Sequence, residues 1–230
     1  MPQPEILKYG TRVFADDIHR INADGPLLAS FIKLKRGERL LDLCSGSGIV
    51  PLWLFDRGFK GRVSAVEIQH EAAELLRKAV AANGIGTLEI FEGALNDYRN
   101  AEKFEAVSCN PPYFTDNGGR LADDIGRAAA RFASREMISD AAKTAAENLK
   151  QGGRFYCCWP PARMESLFVA LRSAGLAPKR LRFCRHSQNS SPWLVLMEAR
   201  LHGGEGLEVM TDFVSERDSQ KTSEYLEIFT

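Results

Sequence analysis

The chain has 230 residues, a length that suits one large α/β domain or, at most, two small ones. Hydrophobic residues make up 44% and charged residues 26% of the sequence, which is ordinary for a soluble globular protein. Thirty basic residues balance thirty acidic ones, so the net charge gives no indication of a nucleic-acid partner, although a neutral total can conceal a basic patch.

From the sequence we expect neither a membrane span nor a secretion signal. No apolar run approaches the roughly 18 residues that cross a bilayer, and residues 1–5 lack the basic start and apolar run of a signal peptide. The cysteines are an odd set without a CxxC pair, and most lie in apolar, strand-like runs: Cys44, Cys109, Cys157, Cys158 and Cys184. We therefore expect free thiols, no metal site and a cytoplasmic location.

Short apolar runs alternate with helical patterns from about residue 24 onwards. Gly46 and Gly48 separate the first strand from a helix that begins at Ile49. Apolar residues at helical spacing predict a second helix over 71–83, and an alanine-rich segment predicts a third over 134–149. Strands are predicted at 39–43, 62–67, 88–91, 106–109 and 154–159, followed by a hairpin of 176–185 and 193–201.

Regular alternation of strands and helices predicts a parallel sheet with helices on both faces, because crossover connections are right-handed. The hairpin adds an antiparallel edge, so we expect an α/β, Rossmann-like fold with a mostly parallel sheet of seven strands. One domain is expected, with a lead-in segment and helix over 1–38, a core over 39–200 and a tail over 201–230. Ligands of such sheets bind outside the carboxyl ends of the strands, which predicts one crevice beside the first, second and fourth strands.

The segment from Asp42 to Gly48 is a glycine-rich turn between a strand and a helix. Glycines let the backbone approach a ligand closely, and the start of the helix offers free N–H groups. The pattern departs from G-x-G-x-x-G, but a nicotinamide site or a purely structural turn remains open for it. Glu67, at the end of the second strand, can accept hydrogen bonds from both ribose hydroxyls of an adenosine, or it can simply cap the next helix.

The motif Asn110-Pro111-Pro112-Tyr113 follows the fourth strand. Two prolines fix the backbone and remove two N–H donors, which leaves carbonyl groups free to face the crevice. The Asn110 side-chain oxygen and the Pro111 carbonyl can accept hydrogen bonds from a substrate amino group, and Tyr113 can stack on a planar base or amide. This arrangement favours methylation of an amino nitrogen, whereas the structural alternative is a proline-rich strand end.

Together these motifs resemble the class I S-adenosylmethionine-dependent N-methyltransferases. The whole chain is similar to the bacterial enzymes that methylate N6 of adenine 37 in a valine tRNA, through segments 22–29, 130–132 and 222–225 as well. The resemblance implies S-adenosylmethionine as cofactor and tRNA as partner, with no membrane partner. It also implies a cofactor-binding set made of Asp42, Cys44, Ser45, Gly46, Gly48, Glu67, Ile68, Ala94, Leu95 and Asn110.

Two positions depart from the family's pattern. Cys44 replaces the usual first glycine of the turn, and Ala94 stands where the resemblance would put an aspartate against the adenine amino group. Asn96 or Asp97 is expected to take over that second contact, or the contact is missing and the cofactor binds more weakly.

Arginines that follow the Asn-Pro-Pro-Tyr motif are candidates for RNA phosphates, since cationic side chains release counterions from RNA. Asp24, His19 and Arg20 are further candidates near the crevice. A second basic cluster lies over 179–186, and a solvated surface is the alternative for every one of these groups. The expected RNA-binding arginines are Arg120, Arg127, Arg131 and Arg135.

Other functions remain open at this stage. Enzymes that methylate the side-chain nitrogen of a protein glutamine share the motif but carry an additional N-terminal helical region. Methylation of guanine N2 in ribosomal RNA or of adenine in DNA is chemically possible, although DNA enzymes flip their base with a separate recognition domain. A module that binds RNA or a protein without turnover is the non-enzymatic alternative.

Overall fold

The computed structural model describes residues 4–112 and 124–230, with side chains described outside 124–134. The α-helices are α1 (Asp24–Phe31), α2 (Ile49–Asp56), α3 (His70–Asn83), α4 (Asp124–Asn148), α5 (Met164–Ser173) and α6 (Ser223–Phe229). The strands are β1 (Glu5–Ile6), β2 (Arg12–Val13), β3 (Arg39–Leu43), β4 (Arg62–Glu67), β5 (Leu88–Glu92), β6 (Phe104–Cys109), β7 (Leu149–Trp159), β8 (Leu176–Ser187), β9 (Leu194–Leu201), β10 (Glu208–Val209), β11 (Phe213–Arg217) and β12 (Gln220–Lys221).

One large sheet organises the described part of the chain. The predicted seven strands lie in the order β8-β9-β7-β6-β3-β4-β5, and β9 pairs antiparallel with both of its neighbours while the other pairs are parallel. The mostly parallel α/β fold predicted from the sequence is confirmed. The strand count is larger than expected, because short strands of the C-terminal segment (β10, β11 and β12) extend the β8 edge to ten strands.

Apolar side chains of the sheet pack into a cluster on each face, because successive residues of a strand point to opposite sides. Leu40 belongs to the cluster covered by Leu27, Leu52 and Leu76 of α1, α2 and α3. Leu41 belongs to the cluster covered by α4 and α5. The fold therefore has three layers, with helices on both faces of the sheet as predicted.

The register of the parallel strands brings the predicted motifs to one edge. Leu43 of β3 pairs with Val66 of β4 and with Cys109 of β6, so the residues that follow these three strands are neighbours. The carboxyl ends of β3, β4 and β6 therefore meet beside one crevice, as the sequence predicted.

Some boundaries differ from the prediction. Helix α4 begins at Asp124, about ten residues earlier than the predicted start at 134, and strand β7 begins at Leu149 where the end of that helix was expected. In the lead-in segment, β1 and β2 form a small hairpin whose turn is held by Asp56, which accepts hydrogen bonds from the backbone N–H groups of Tyr9 and Thr11.

Candidate active site

A cavity of about 490 Å³ opens at the carboxyl edge of the sheet. This volume lies in the usual range for small-molecule sites. The cavity is lined by the segments that follow β3, β4, β5 and β6, together with residues of the N-terminal segment and of α4. The lining residues are His19, Arg20, Asn22, Cys44, Ser45, Gly46, Ser47, Ile49, Val66, Glu67, Ile68, Gln69, Gly93, Ala94, Leu95, Asn96, Asn110, Pro111, Pro112, Met137 and Asp140.

Glu67 is held rigidly at the end of β4. Its Oε2 accepts a hydrogen bond of 2.7 Å from the backbone N–H of Gly46, and its Oε1 accepts one of 2.8 Å from the N–H of Gln69. The side chain is buried except for 5% of its surface, yet it lines the cavity. A carboxylate fixed by two backbone donors retains further lone pairs, which can accept hydrogen bonds from ribose hydroxyls. Ile68, beside it, exposes 66% of its surface and offers an apolar wall.

Asp42 lies beneath the glycine-rich turn and does not line the cavity. Its two carboxylate oxygens accept hydrogen bonds from the hydroxyls of Ser45, at 2.6 Å, and Ser108, at 2.5 Å. Burial raises the pKa of Asp42 to about 6, against the lowering effect of the two serine hydroxyls and with a smaller raising effect from the Glu67 charge. Asp42 therefore holds the Ser45 side chain through a hydrogen bond, and Ser45, not Asp42, lines the cavity.

The turn itself adopts left-handed backbone conformations. Gly46 and Gly48 have φ of 57° and 85°, and a Cβ at Gly48 would collide with Leu76, so that turn requires glycine. A Cβ at Gly46 would meet no described atom within 4 Å, because this backbone faces the open cavity. Cys44 has φ of 55°, in the left-handed region that favours glycine, at a cost of about 1–2 kcal/mol for an L-residue.

The segment after β5 supplies the far wall of the cavity. Ala94, Leu95 and Asn96 line it, whereas Asp97 is not among the lining residues. The amide nitrogen of Asn96 donates a hydrogen bond of 3.0 Å to Asp140 of α4, and its oxygen accepts one of 3.3 Å from the Thr144 hydroxyl. Of the described lining residues, Glu67 and Asp140 are the two acids. Asp140 carried no sequence signal, since it lies within a helix far along the chain.

Asn110 follows β6 and reaches the cavity together with the two prolines. Pro111 is buried and Pro112 is exposed, while Asn110 is partly exposed. The thiol of Cys158, on the neighbouring strand β7, donates a hydrogen bond to Asn110 Oδ1, with a sulfur–oxygen distance of 2.9 Å. Tyr113 lies outside the described residues.

The N-terminal segment contributes His19 to the cavity, on the side of Gln69. His19 Nδ1 lies 3.0 Å from Asp16 Oδ1, and its Nε2 lies 2.8 Å from Oε1 of Gln69. Partial burial lowers the pKa of His19, but the hydrogen bonds to Gln69 and Asp16 and the charges of Asp16 and Glu67 outweigh it, so the pKa is raised above 6.5. Both ring nitrogens face acceptors, which suits the protonated imidazolium.

His19 and Arg20 line the cavity, whereas Asp24 and Arg135, the other predicted RNA-binding residues with described side chains, are not among its lining residues. Arg127 and Arg131 belong to α4, Arg135 is exposed on the same helix, and Arg120 lies outside the described residues. Asp24 lies at the start of α1, where its Oδ1 accepts a long hydrogen bond of 3.5 Å from Trp193 Nε1. His19 and Arg20 are therefore the predicted RNA-binding residues that the described part of the chain brings beside the cofactor-binding set.

The second basic cluster, over 179–186, is largely neutralised by acids of the C-terminal region. Arg180 is ion-paired with Glu198, Arg182 pairs through both terminal nitrogens with Glu224, and the third pair joins Arg185 to Asp212. These pairs fasten the edge of the sheet. Within the described residues there is no group of three or more potential metal ligands, and no helix is long and apolar enough to cross a membrane.

Strands β3–β9 form a sheet in which β9 alone runs antiparallel, and Glu67 ends the strand that follows the glycine-rich turn and its helix. This combination is that of a class I S-adenosylmethionine-dependent methyltransferase. The sequence model of the methyltransferase small domain family matches residues 11–159. The chain belongs to this family, which confirms the predicted class and its cofactor.

Proteins named tRNA1(Val) (adenine(37)-N6)-methyltransferase are similar in sequence to part of this chain. The protein of Pseudoalteromonas translucida is 26% identical over 66% of this chain and 64% of its own length, so the match spans slightly less than two thirds of that relative. The protein of Parabacteroides distasonis is 25% identical over 78% of this chain and 76% of its own. A predicted O-methyltransferase of Agrobacterium tumefaciens, 20% identical, superimposes with a TM-score of 0.72 over 89% of this chain and 94% of its own, which shows the shared fold.

Proposed function

We propose that this protein transfers a methyl group from S-adenosylmethionine to an exocyclic amino group, namely N6 of adenine 37 in a valine tRNA. The observation that carries the proposal is the position of Asn110 and the two prolines after β6, on the wall of the same cavity that contains Glu67. The acceptor for an amino group and the carboxylate for a ribose therefore face one space.

The residues of the cavity fit the cofactor. Glu67 offers acceptors for ribose hydroxyls, Ile68 and Leu95 offer apolar surfaces for a flat base, and Gly46 leaves open space where a side chain would intrude. When bound, S-adenosylmethionine supplies an electrophilic methyl group on a sulfonium. A Gly-rich turn before a helix also leaves N–H groups directed toward the ligand, which suits the carboxylate of its methionine part.

The chain's own contribution to the reaction is positioning. Asn110 Oδ1 has two lone pairs, of which Cys158 occupies one, so the other can accept a hydrogen bond from a substrate amino group. Pro111 lines the cavity beside Asn110, so its carbonyl group is the candidate for a second acceptor. Hydrogen bonds to both amino hydrogens hold the nitrogen lone pair in a defined direction, and such orientation accounts for a large part of a methyl-transfer barrier.

The choice of tRNA rests on the names of the relatives together with the amino-group chemistry. A cytoplasmic location is part of the proposal, since tRNA substrates are met there and all five cysteines are free. The predicted stacking by Tyr113 and the contacts of Arg120, Arg127, Arg131 and Arg135 with RNA phosphates belong to the same proposal.

The test is transfer of labelled methyl groups to separated fractions of total tRNA, ribosomal RNA and protein from cells that lack this enzyme. We expect label in tRNA, released by nuclease digestion as N6-methyladenosine. A valine tRNA transcript should be methylated, while the same transcript with guanine at position 37 serves as the matched control. Label confined to protein would identify a glutamine methyltransferase instead, and label in guanine of ribosomal RNA would equally overturn the proposal.

A further inference from the structure

We propose that Cys158 is a positioning residue for methyl transfer, because its thiol fixes the rotation of the Asn110 carboxamide. The proposal rests on the proposed function, in which Asn110 accepts the substrate amino group. Cys158 itself is not among the residues that line the cavity.

The contact between the two side chains is close. The sulfur of Cys158 lies 2.9 Å from Asn110 Oδ1, within reach of a hydrogen bond from the thiol. Cys158 is fully buried on β7, in the strand next to β6, so its side chain has little freedom to move away. Burial raises the pKa of its thiol, and the charge of Asp24 raises it further, so the group stays neutral and keeps its hydrogen.

This hydrogen bond determines which end of the Asn110 amide is available to a substrate. An asparagine side chain has an acceptor oxygen at one end and a donor NH2 at the other, and a half-turn about its last bond exchanges them. With the thiol hydrogen on Oδ1, the oxygen is held in place and keeps a second lone pair. The reversed amide would present donors to the substrate amino group, which is itself a donor, and no hydrogen bond could form.

The chain provides a matched control one residue away. Cys157 and Cys158 are both fully buried, but they point to opposite faces of β7, and Cys157 packs in the apolar cluster below α4 and α5. Burial alone raises the pKa of the Cys157 thiol. Replacing either cysteine with alanine removes the same atom from an equally buried position, but only one replacement removes a hydrogen bond to Asn110.

The kinetic experiment compares Cys158→Ala, Cys158→Ser and Cys157→Ala with the parent, using the valine tRNA substrate. We expect Cys158→Ala to lower kcat about five- to tenfold, the effect of one hydrogen bond, while the affinity for S-adenosylmethionine is unchanged. The Cys158→Ser variant, which retains a donor, should recover most of the parent kcat. Cys157→Ala should keep the parent kcat although urea unfolding shows a similar loss of stability. Equal losses of kcat in both alanine variants would refute the positioning role.

A second measurement needs no turnover. The infrared S–H stretching band of Cys158, obtained as the difference between the parent and Cys158→Ala, should lie at the lower frequency of a hydrogen-bonded thiol. In Asn110→Ala this band should move to higher frequency, and an unchanged band would overturn the proposal. If the parent methylates none of the RNA or protein fractions, the proposed function fails by itself, and the infrared band still decides whether Cys158 orients Asn110.

Discussion

Asp42 couples the stability of the fold to pH, and replacing it with asparagine should reveal by how much. The carboxylate is 1% exposed, and burial raises its pKa from 3.8 to about 6. One pKa unit corresponds to about 1.4 kcal/mol, so the ionised form of Asp42 lowers the free energy of unfolding by about 3 kcal/mol at pH 7.5. Ser45 and Ser108 can rotate their hydroxyls to serve an amide, so Asp42→Asn should keep the hydrogen bonds.

The direction of the effect follows from the order of the two pKa values. Between about pH 4 and pH 6 the folded state keeps a proton on Asp42 that the unfolded state has released, so the contribution of this group to stability declines as pH rises and stays low above pH 6. The stability of Asp42→Asn minus that of the parent should therefore grow from near zero at pH 4 to about 3 kcal/mol at pH 7.5.

Urea unfolding followed by tryptophan fluorescence from pH 4 to pH 8 measures this difference. The subtraction cancels carboxylates whose pKa is lowered, such as Glu92 and Glu105, because both proteins contain them. A difference that does not change with pH, or one in which Asp42→Asn becomes less stable as pH rises, would show that the serine hydroxyls outweigh burial and that our account of Asp42 is wrong.

Three further results are expected. Asn110→Ala should abolish methyl transfer and leave the affinity for S-adenosylmethionine within a few-fold in calorimetry; a fully active variant would contradict its role as acceptor. Cofactor affinity should decline as pH rises above 6.5, because the His19 imidazolium then loses the proton that supports its hydrogen bonds to Asp16 and Gln69. His19→Ala should remove this dependence of cofactor affinity on pH. Asp140 is expected to accept the adenine amino group, so the parent should prefer S-adenosylhomocysteine to its inosine analogue by about tenfold, and Asp140→Asn should reduce or reverse that preference, since an amide can donate to the keto oxygen. Equal preference in both proteins would exclude this contact.

The central sheet and the convergence of the motifs could be predicted, because both follow from local pattern and from one geometric rule. Apolar runs of four to six residues gave β3, β4 and β6, and carboxyl ends of parallel strands share an edge. As expected, one cavity is lined by Cys44, Ser45 and Gly46 together with Glu67 and Asn110. The surroundings of Asp42 could not be predicted, since its spacing from the turn does not reveal that two serine hydroxyls donate hydrogen bonds to its carboxylate.

Other parts of the site could not be predicted, since they depend on contacts between distant segments. His19 and Arg20 line the cavity, as the sequence suggested, but nothing in the sequence indicated the contact of His19 with Gln69, 50 residues later. Helix α4 begins about ten residues before its predicted start and includes Gly126, although a glycine disfavours a helix by about 1 kcal/mol. Likewise, Arg182 looked like a free cation in the sequence, but its partner Glu224 is 42 residues away.

The left-handed turn at Cys44 has a practical consequence for chemical labelling. All five cysteines lie in the described part of the chain, and Cys44 is the one that is not buried. Cys44 is among the residues that line the cavity, and its side chain also packs against the apolar cluster covered by α4 and α5. A thiol-reactive probe is therefore expected to modify Cys44 before the four buried cysteines. Alkylation of the native protein would attach a reporter at one defined site, and protection by a bound nucleoside would report occupancy without any RNA. Cys44, which stands where the family usually has glycine, is thus a site for covalent ligands in this chain.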